Sequence, residues 1–321
     1  MKKDVLAASI AALLAVPSAY ASCGSAFCLV NTNWDMHGAW AQPGLRLDLR
    51  YESVNQNQPL MGRSKVAVGE FPRDHDEVRT ANRNWLASLD YTFNADWGVN
   101  VVLPIVHRDH LHNENDFDNG TQTPEAWKFT KVGDVRILAR RRLAGFEGRE
   151  ARLGSLGLNF GVKLPTGSTN VVNADGDRAE RTLQPGTGTT DALVGVYYAQ
   201  LLPAKNLSWF AQALLQAPLN QHESYRPGRR LSLDAGLRYE AGNSVSLLLQ
   251  FNALFRGRDS GGNAERDDTG GRSFFLSPGI SVALSKDVQV YGFVQTPVYQ
   301  YVNGVQLGLR PGVVIGVSAR F

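Results

Sequence analysis

Residues Gly312–Phe321, which read GVVIGVSARF, give the clearest indication of the fold. From Val313 onward every second residue is apolar, up to the aromatic Phe321, whereas Ser318 and Arg320 fall on the opposite phase. Side chains of a strand point alternately to its two faces, so this period of two predicts a β-strand with one apolar face. An all-β fold is the first expectation.

The same alternation recurs upstream, for example from Leu45 to Tyr51, from Trp85 to Phe93 and from Leu156 to Leu164. About twelve such segments follow one another. Their connections are alternately short, near residues 94–96, 242–243 and 285–287, and long, at about residues 54–81, 108–130, 166–188, 217–229, 256–272 and 299–308. This arrangement predicts a transmembrane antiparallel up-and-down β-barrel of about twelve strands over residues 44–321, with short turns on the periplasmic side.

The end of the chain supports a barrel that lies in a lipid bilayer. A last strand that ends on Phe, here Phe321, resembles the signal by which the outer-membrane assembly machinery recognises its substrates, so that machinery is an expected partner. Closure of the barrel by this strand leaves no exposed edge, which lipid would not tolerate. A soluble periplasmic β-sandwich is the alternative, but it needs neither six polar loops on one side nor a terminal Phe.

The N-terminus predicts secretion. Lys2 and Lys3 precede a short apolar run, and Ala19-Tyr20-Ala21 is a small-x-small cleavage site, so residues 1–21 are expected to be a signal peptide cleaved near Ala21. Residues 22–43 are then a periplasmic or lumen-inserted segment. Cys23 and Cys28, the only cysteines, are expected to form a disulfide in an oxidising compartment, with a thiol metal or redox site as the alternative.

Net charge excludes one class of partner. The formal charge is +3 with the leader and +2 once Lys2, Lys3 and Asp4 are removed, which is too small to predict nucleic-acid binding. The expected location is the outer membrane of a Gram-negative cell.

The polar phase of the predicted strands carries charges of both signs, which predicts a polar lumen. The predicted lumen-lining residues are Arg46, Asp48, Arg50, Asp90, Asp134, Arg136, Arg140, Lys163, Asp234 and Arg238. Such residues hydrate a channel or pair across a closed interior. The first hypothesis is a channel or transporter-like porin for small solutes or ions, with arginines setting its charge selectivity.

A second hypothesis is a metal-binding or sensing barrel. His107, His110 and His112 are close in sequence and neighbour Asp109 and Glu114, and imidazoles with carboxylates bind transition-metal ions. A solvated polar loop is the alternative, and no other cofactor is expected. Asn173, Asp175 and Asp177 similarly suggest calcium but lack the downstream glutamate of a calcium loop.

A third hypothesis is a lipid esterase, because His222-Glu223-Ser224 resembles the His-x-Ser of the outer-membrane phospholipase, also a twelve-stranded barrel. In that family the triplet lies on a strand, and an Asn or Asp orients the His. Here the triplet falls in a predicted loop and no orienting partner can be assigned, although nucleophilic catalysis needs one. The expectation is therefore that the protein is not an enzyme.

Three short motifs resemble those of a known barrel family. Val132–Arg136 (VGDVR), Gly161–Gly167 (GVKLPTG) and Gly186-Thr187-Gly188 are similar to stretches of transporters associated with the meta-pathway of phenol degradation. The resemblance covers about residues 80–321. It implies a barrel fold and a transport function, and the motifs themselves are structural rather than catalytic.

Overall fold

Strands account for most of the residues in the computed structural model, which describes residues 27, 30–32, 43–147 and 153–321. The expected signal peptide and the Cys23–Cys28 disulfide lie outside the described residues. The strands are β1 Gly44–Gly62, β2 Ser64–Lys65, β3 His75–Thr92, β4 Trp97–Asp116, β5 Thr121–Val132, β6 Arg136–Glu147, β7 Leu153–Lys163, β8 Asp191–Leu202, β9 Leu207–Pro218, β10 Arg230–Glu240, β11 Val245–Arg256, β12 Gly271–Ala283, β13 Val288–Leu309 and β14 Gly312–Arg320.

Each strand of the wall is antiparallel to its neighbours, and β14 closes the barrel on β1. The closing register runs from Arg46 opposite Arg320 to Ser53 opposite Val313. Twelve strands form the wall, which confirms the predicted all-β up-and-down barrel. The remaining two are β2, which is a two-residue pairing, and β5, which continues the line of β6 along the outer half of β4.

The predicted long loops at 54–81, 108–130 and 299–308 are wrong in large part. β1 continues to Gly62, β3 already begins at His75, and β4 and β5 form a hairpin through residues 97–132. β13 turns back near Gly304, where φ is 57°, and its last residues run beside β1. Outside the lipid both faces of a strand carry polar residues, so the alternation that marks a strand disappears while its backbone pairing continues.

The outer face of the wall is a continuous apolar surface. On β3 the outward residues run from Trp85 to Tyr91, and on β14 Ile315 is 57% exposed although it is aliphatic. Aromatic rings lie toward both edges of the band, among them Trp85, Tyr91, Trp97, Tyr239, Phe274 and Tyr299. An apolar band of about 25 Å between aromatic girdles is the surface of an outer-membrane barrel.

No helix of the described residues has the length and apolar character needed to cross a membrane.

The inside of the barrel is polar on most of its wall and is occupied by two non-wall segments. One is the N-terminal segment, residues 30–32, which lies against the inner faces of β1 and β11. The other is the connection between β7 and β8, residues 164–190, which we call the plug segment. Val171, Ala179 and Leu183 of the plug segment pack on Val106 of β4 and Trp127 of β5.

Candidate functional site

One group of interior charges lies on β1. Arg50 Nε is 3.0 Å from Glu52 Oε1, and Tyr291 Oη donates to both oxygens of Asp48 at 3.0 Å. Arg46 Nε donates to Ser318 Oγ at 2.5 Å, across the closing seam of the barrel. The side chains of Asp48 and Glu52 are almost inaccessible to solvent. These charges are therefore neutralised within the interior rather than displayed along a wide aqueous passage.

The same residues hold the N-terminal segment inside the barrel. Gln250 of β11 pairs with the main chain of Asn31 in both directions, since the Asn31 N–H donates to Gln250 Oε1 at 2.9 Å and Gln250 Nε2 donates to Asn31 O at 2.8 Å. Arg50 donates to Val30 O at 3.2 Å, and Arg46 donates to Thr32 O at 3.0 Å. Of the two positions expected for residues 22–43, the described residues 30–32 thus occupy the lumen.

Val30 itself enters an apolar patch of the inner wall. The patch is formed by Val54, Ala199, Phe210, Leu248, Tyr291, Phe293 and Val314. The lumen is consequently not polar all round, because this one side of it offers aromatic and aliphatic surface.

The second group of charges lies at the base of the plug segment. Lys163 Nζ is 2.9 Å from Asp134 Oδ2 and 3.3 Å from Asp191 Oδ2, and all three side chains are buried. The other oxygen of Asp134 accepts from the Gly167 N–H at 3.0 Å, and its Oδ2 also accepts from the Thr187 N–H at 2.9 Å. Asp134 thus binds both ends of the plug segment to the wall.

This arrangement explains the three family motifs. Asp134 belongs to VGDVR, Gly167 to GVKLPTG and Thr187 to the Gly-Thr-Gly stretch, and the fold brings them together in one place. A Cβ added at Gly167 would lie 2.7 Å from the Cα of Gly186. The two ends of the plug segment therefore pass each other with their backbones in contact. The motifs are structural, because they anchor the segment that fills the outer half of the barrel.

The other predicted lumen residues also point inward, into local polar contacts. Arg140 donates to Thr92 Oγ1 at 3.1 Å, and Arg136 donates to Gln216 Oε1 at 3.1 Å. Asn252 donates to Asp234 at 2.8 Å, Arg238 donates to Ser246 Oγ at 3.1 Å, and Asp90 is buried. Their effect on solute selectivity stays a prediction.

The three predicted histidines do not all face the same side of the strand on which they lie. His107, His110 and His112 lie on β4 rather than in a flexible loop. His110 and His112 point into the barrel and are buried, whereas His107 points outward and contacts Thr130 Oγ1 at 2.7 Å. His107 cannot share an ion with the other two, because side chains at odd and even positions of a strand face opposite sides.

The fold brings other residues to the inward histidines instead. His75 at the start of β3 has its ring 4.7 Å from that of His112. Glu180 of the plug segment places Oε1 3.0 Å from His75 Nε2 and 3.8 Å from His112 Nδ1. Burial lowers the pKa of His112 and that of His110, so both imidazoles are neutral near pH 7. His75 and Glu180 are far from His112 in sequence, and no local pattern signals that they meet it.

The residues considered for calcium binding and for esterase activity make local contacts in their own loops. Asn173 Oδ1 accepts from the N–H groups of Asp175 and Asp177, at 3.0 and 2.8 Å, so it shapes its own turn. His222 Nε2 lies 3.7 Å from its neighbour Glu223, and Ser224 sits in a left-handed turn with φ 55°. In the described part of the chain His222 Nε2 contacts Thr169 and Glu223 and forms no hydrogen bond with the Ser224 hydroxyl, whereas nucleophilic catalysis requires such a pair of base and nucleophile.

A closed twelve-stranded barrel with an apolar outer band, aromatic girdles and a polar, filled interior defines the class: this is an outer-membrane β-barrel protein. The family model described as "Putative MetA-pathway of phenol degradation" matches residues 80–310. The chain belongs to that family.

Solved structures of similar fold are outer-membrane proteins. The COG4313 outer membrane channel from Pseudomonas putida F1 is 15% identical over 92% of this chain and 100% of that chain, with a TM-score of 0.63. The P. putida toluene transporter TodX (9% identity, 88% and 91% coverage, TM-score 0.43) and a Pseudomonas aeruginosa FadL homologue (10%, 93% and 99%, 0.42) are more distant. No curated protein sequence matches the chain.

Proposed function

We propose that this protein is a gated channel for small solutes across the outer membrane, in which the N-terminal segment and the plug segment close the lumen. The observation that carries the proposal is the way these segments are held. Both lie inside a closed barrel, and side-chain hydrogen bonds and ion pairs join them to the wall. Such contacts can break without any change in the strand pairing of the wall, so the two segments can move while the barrel stays intact.

The direct test is conductance in planar bilayers. Gln250→Ala removes both hydrogen bonds to the main chain of Asn31, each worth about 1 kcal/mol. A loss of about 2 kcal/mol should raise the open probability roughly 10- to 30-fold relative to wild type. Ser277→Ala is the matched control, because Ser277 pairs with Gln250 across β11 and β12 and is equally buried.

Two results would contradict the channel proposal. One is the absence of conductance in both wild type and Gln250→Ala when each is shown to be folded. The other is an equal increase in Ser277→Ala, because the effect would then come from any change in the inner wall.

Two classes of solute are candidates for transport. Inward charges such as Arg50 and Arg136 favour a polar or ionic solute, as the sequence predicts. The apolar patch around Val30 and the family description favour an aromatic one. Uptake into proteoliposomes of acetate against benzoate decides between them, since both are monovalent carboxylates and only benzoate carries a ring that the patch can contact.

A further inference from the structure

We propose that His75, His112 and Glu180 form a binding site for one divalent transition-metal ion, with Zn²⁺ as the ion to test. Each residue presents one ligand atom, and the three atoms lie within 4.8 Å of one another. Two imidazole nitrogens and a carboxylate oxygen are a donor set that zinc uses in proteins. Of these three residues, only His112 was predicted from the sequence as a metal ligand. The predicted ligand His107 is not part of the site.

The distances come close to those of a bound ion. Ligand atoms of a tetrahedral zinc site with bonds near 2.0 Å are separated by about 3.3 Å. Glu180 Oε1 is 3.0 Å from His75 Nε2 and 3.8 Å from His112 Nδ1, on either side of that value. All three atoms lie within 4.8 Å of one another, so the widest pair has to close by up to about 1.5 Å to reach ligand spacing.

A carboxylate on the far side of His112 orients the ring for this role. His112 Nε2 lies 3.3 Å from Glu125 Oε2 of β5, within hydrogen-bonding distance. If Nε2 carries the proton, Nδ1 is left with its lone pair toward Glu180. Imidazole ligands of metals commonly donate their other N–H to a carboxylate in this way.

The polar atoms that would bind the ion are otherwise unsatisfied. His112 Nδ1 and both carboxylate oxygens of Glu180 are buried and form no hydrogen bond among the described residues, and Glu180 Oε1 has only its ion-pair contacts with the two histidines. The His112 side chain is 5% exposed and that of Glu180 is 10% exposed. Buried polar atoms without a hydrogen bond are unfavourable. A metal ion would satisfy all three atoms at once.

The surroundings also favour a cation. Glu265 lies close enough to Glu180 and Glu77 for their charges to interact. Carboxyl groups held this close in a buried place repel one another when ionised. A bound divalent cation would compensate negative charge on these carboxylates. A cavity of about 690 Å³ beside the site is lined in part by Arg73, Asp74, His75 and Asp268.

The effect of a bound ion on the channel rests on the proposed function. His75 and His112 belong to the wall strands β3 and β4, whereas Glu180 belongs to the plug segment. An ion shared by all three would fasten the plug segment to the wall and so stabilise the closed channel. Binding of the ion itself does not depend on whether the barrel conducts.

The test is isothermal titration of Zn²⁺ into tag-free, full-length mature protein folded in detergent. We expect one ion per chain for wild type, and a loss of affinity of 100-fold or more in His112→Gln and in Glu180→Gln. His107→Gln is the matched control, because His107 lies on the same strand but faces outward. X-ray absorption of the loaded protein should show nitrogen and oxygen ligands at about 2.0–2.1 Å.

Several results would overturn the site. They are no zinc binding by folded wild type, unchanged affinity in both site variants, or an equal loss in His107→Gln. Heat-shifted mobility on gels confirms that each variant is folded, so a loss of binding is not a loss of structure. Conductance of the same wild-type sample without zinc reports separately on the channel, so either proposal can fail while the other stands.

Discussion

At the scale of single residues, Asp134 has the largest structural role of the predicted lumen charges. It accepts main-chain hydrogen bonds from both ends of the plug segment and pairs with Lys163. A residue that was predicted to line the lumen, and either to hydrate a channel or to pair across a closed interior, therefore anchors a segment inside the barrel. The reason is that a carboxylate can accept several hydrogen bonds at once, which few other side chains can do.

Asp134→Ala should release the plug segment without unfolding the barrel. Removal of one partner from a buried charge pair costs about 3 kcal/mol, and Lys163 keeps Asp191 as a second partner. We expect amide exchange in residues 168–186 to accelerate roughly 100-fold, measured by hydrogen–deuterium exchange with mass spectrometry. Asp175→Ala, at an exposed turn of the same segment, should leave the exchange rates unchanged.

Tyr225 ties two outer loops together through a buried polar contact. Its hydroxyl donates to Asp259 at 2.8 Å, and Asp259 also pairs with Arg256 at 2.7 Å. Burial and the Asp259 charge raise the pKa of Tyr225 well above its usual value near 10, against smaller opposing effects of Arg256 and Arg181. The neutral phenol is therefore the form that the folded loops require.

The pH dependence follows from that direction. A group whose pKa is higher in the folded than in the unfolded state contributes stability that is complete below the unfolded pKa and is lost as the pH rises through the folded pKa. Proteolysis of residues 219–229 should thus stay slow up to about pH 10 and accelerate above it. In Tyr225→Phe the alkaline acceleration should be much reduced, and an identical profile in that variant would contradict the role of the phenol.

At the scale of elements, the alternating residues of β14 face two different environments, lipid on one side and the barrel interior on the other. Ile315 faces lipid and is 57% exposed in the isolated chain, whereas Val314 points inward and is fully buried. Exposure of an aliphatic side chain would be unfavourable in water but not in hydrocarbon. The element is therefore stable only where the bilayer is its solvent.

Ile315→Arg should destabilise the folded barrel by about 2–4 kcal/mol, the usual effect of an arginine near the middle of the lipid face. Unfolding with guanidinium in phospholipid vesicles measures this difference. Leu219→Arg is the control, since Leu219 is exposed to a similar extent, 63%, but lies in an outer loop and should change stability by less than about 0.5 kcal/mol. Equal effects of the two substitutions would argue against a lipid-facing β14.

At the scale of the whole molecule, closure of β14 on β1 unites the two ends of the wall. Leu45 and Phe321 exchange both main-chain hydrogen bonds, at 3.1 and 2.7 Å, beside the short-turn end of the barrel. The mature protein should consequently need detergent or lipid to stay in solution and should migrate faster on gels before heating than after. A freely water-soluble, compact protein would contradict the membrane barrel.

The fold class, the strand number and the lipid-facing surface could all be predicted from the amino-acid sequence, because a period of two is a local property that each strand displays on its own. The ends of the strands outside the lipid could not be predicted, since polar residues on both faces erase that period, as in His107–Asp116 of β4. The meeting of His75, His112 and Glu180, and the contact of Gln250 with Asn31, became visible only in the folded barrel. Those contacts join residues from different strands and segments, and their distances depend on how the whole barrel closes.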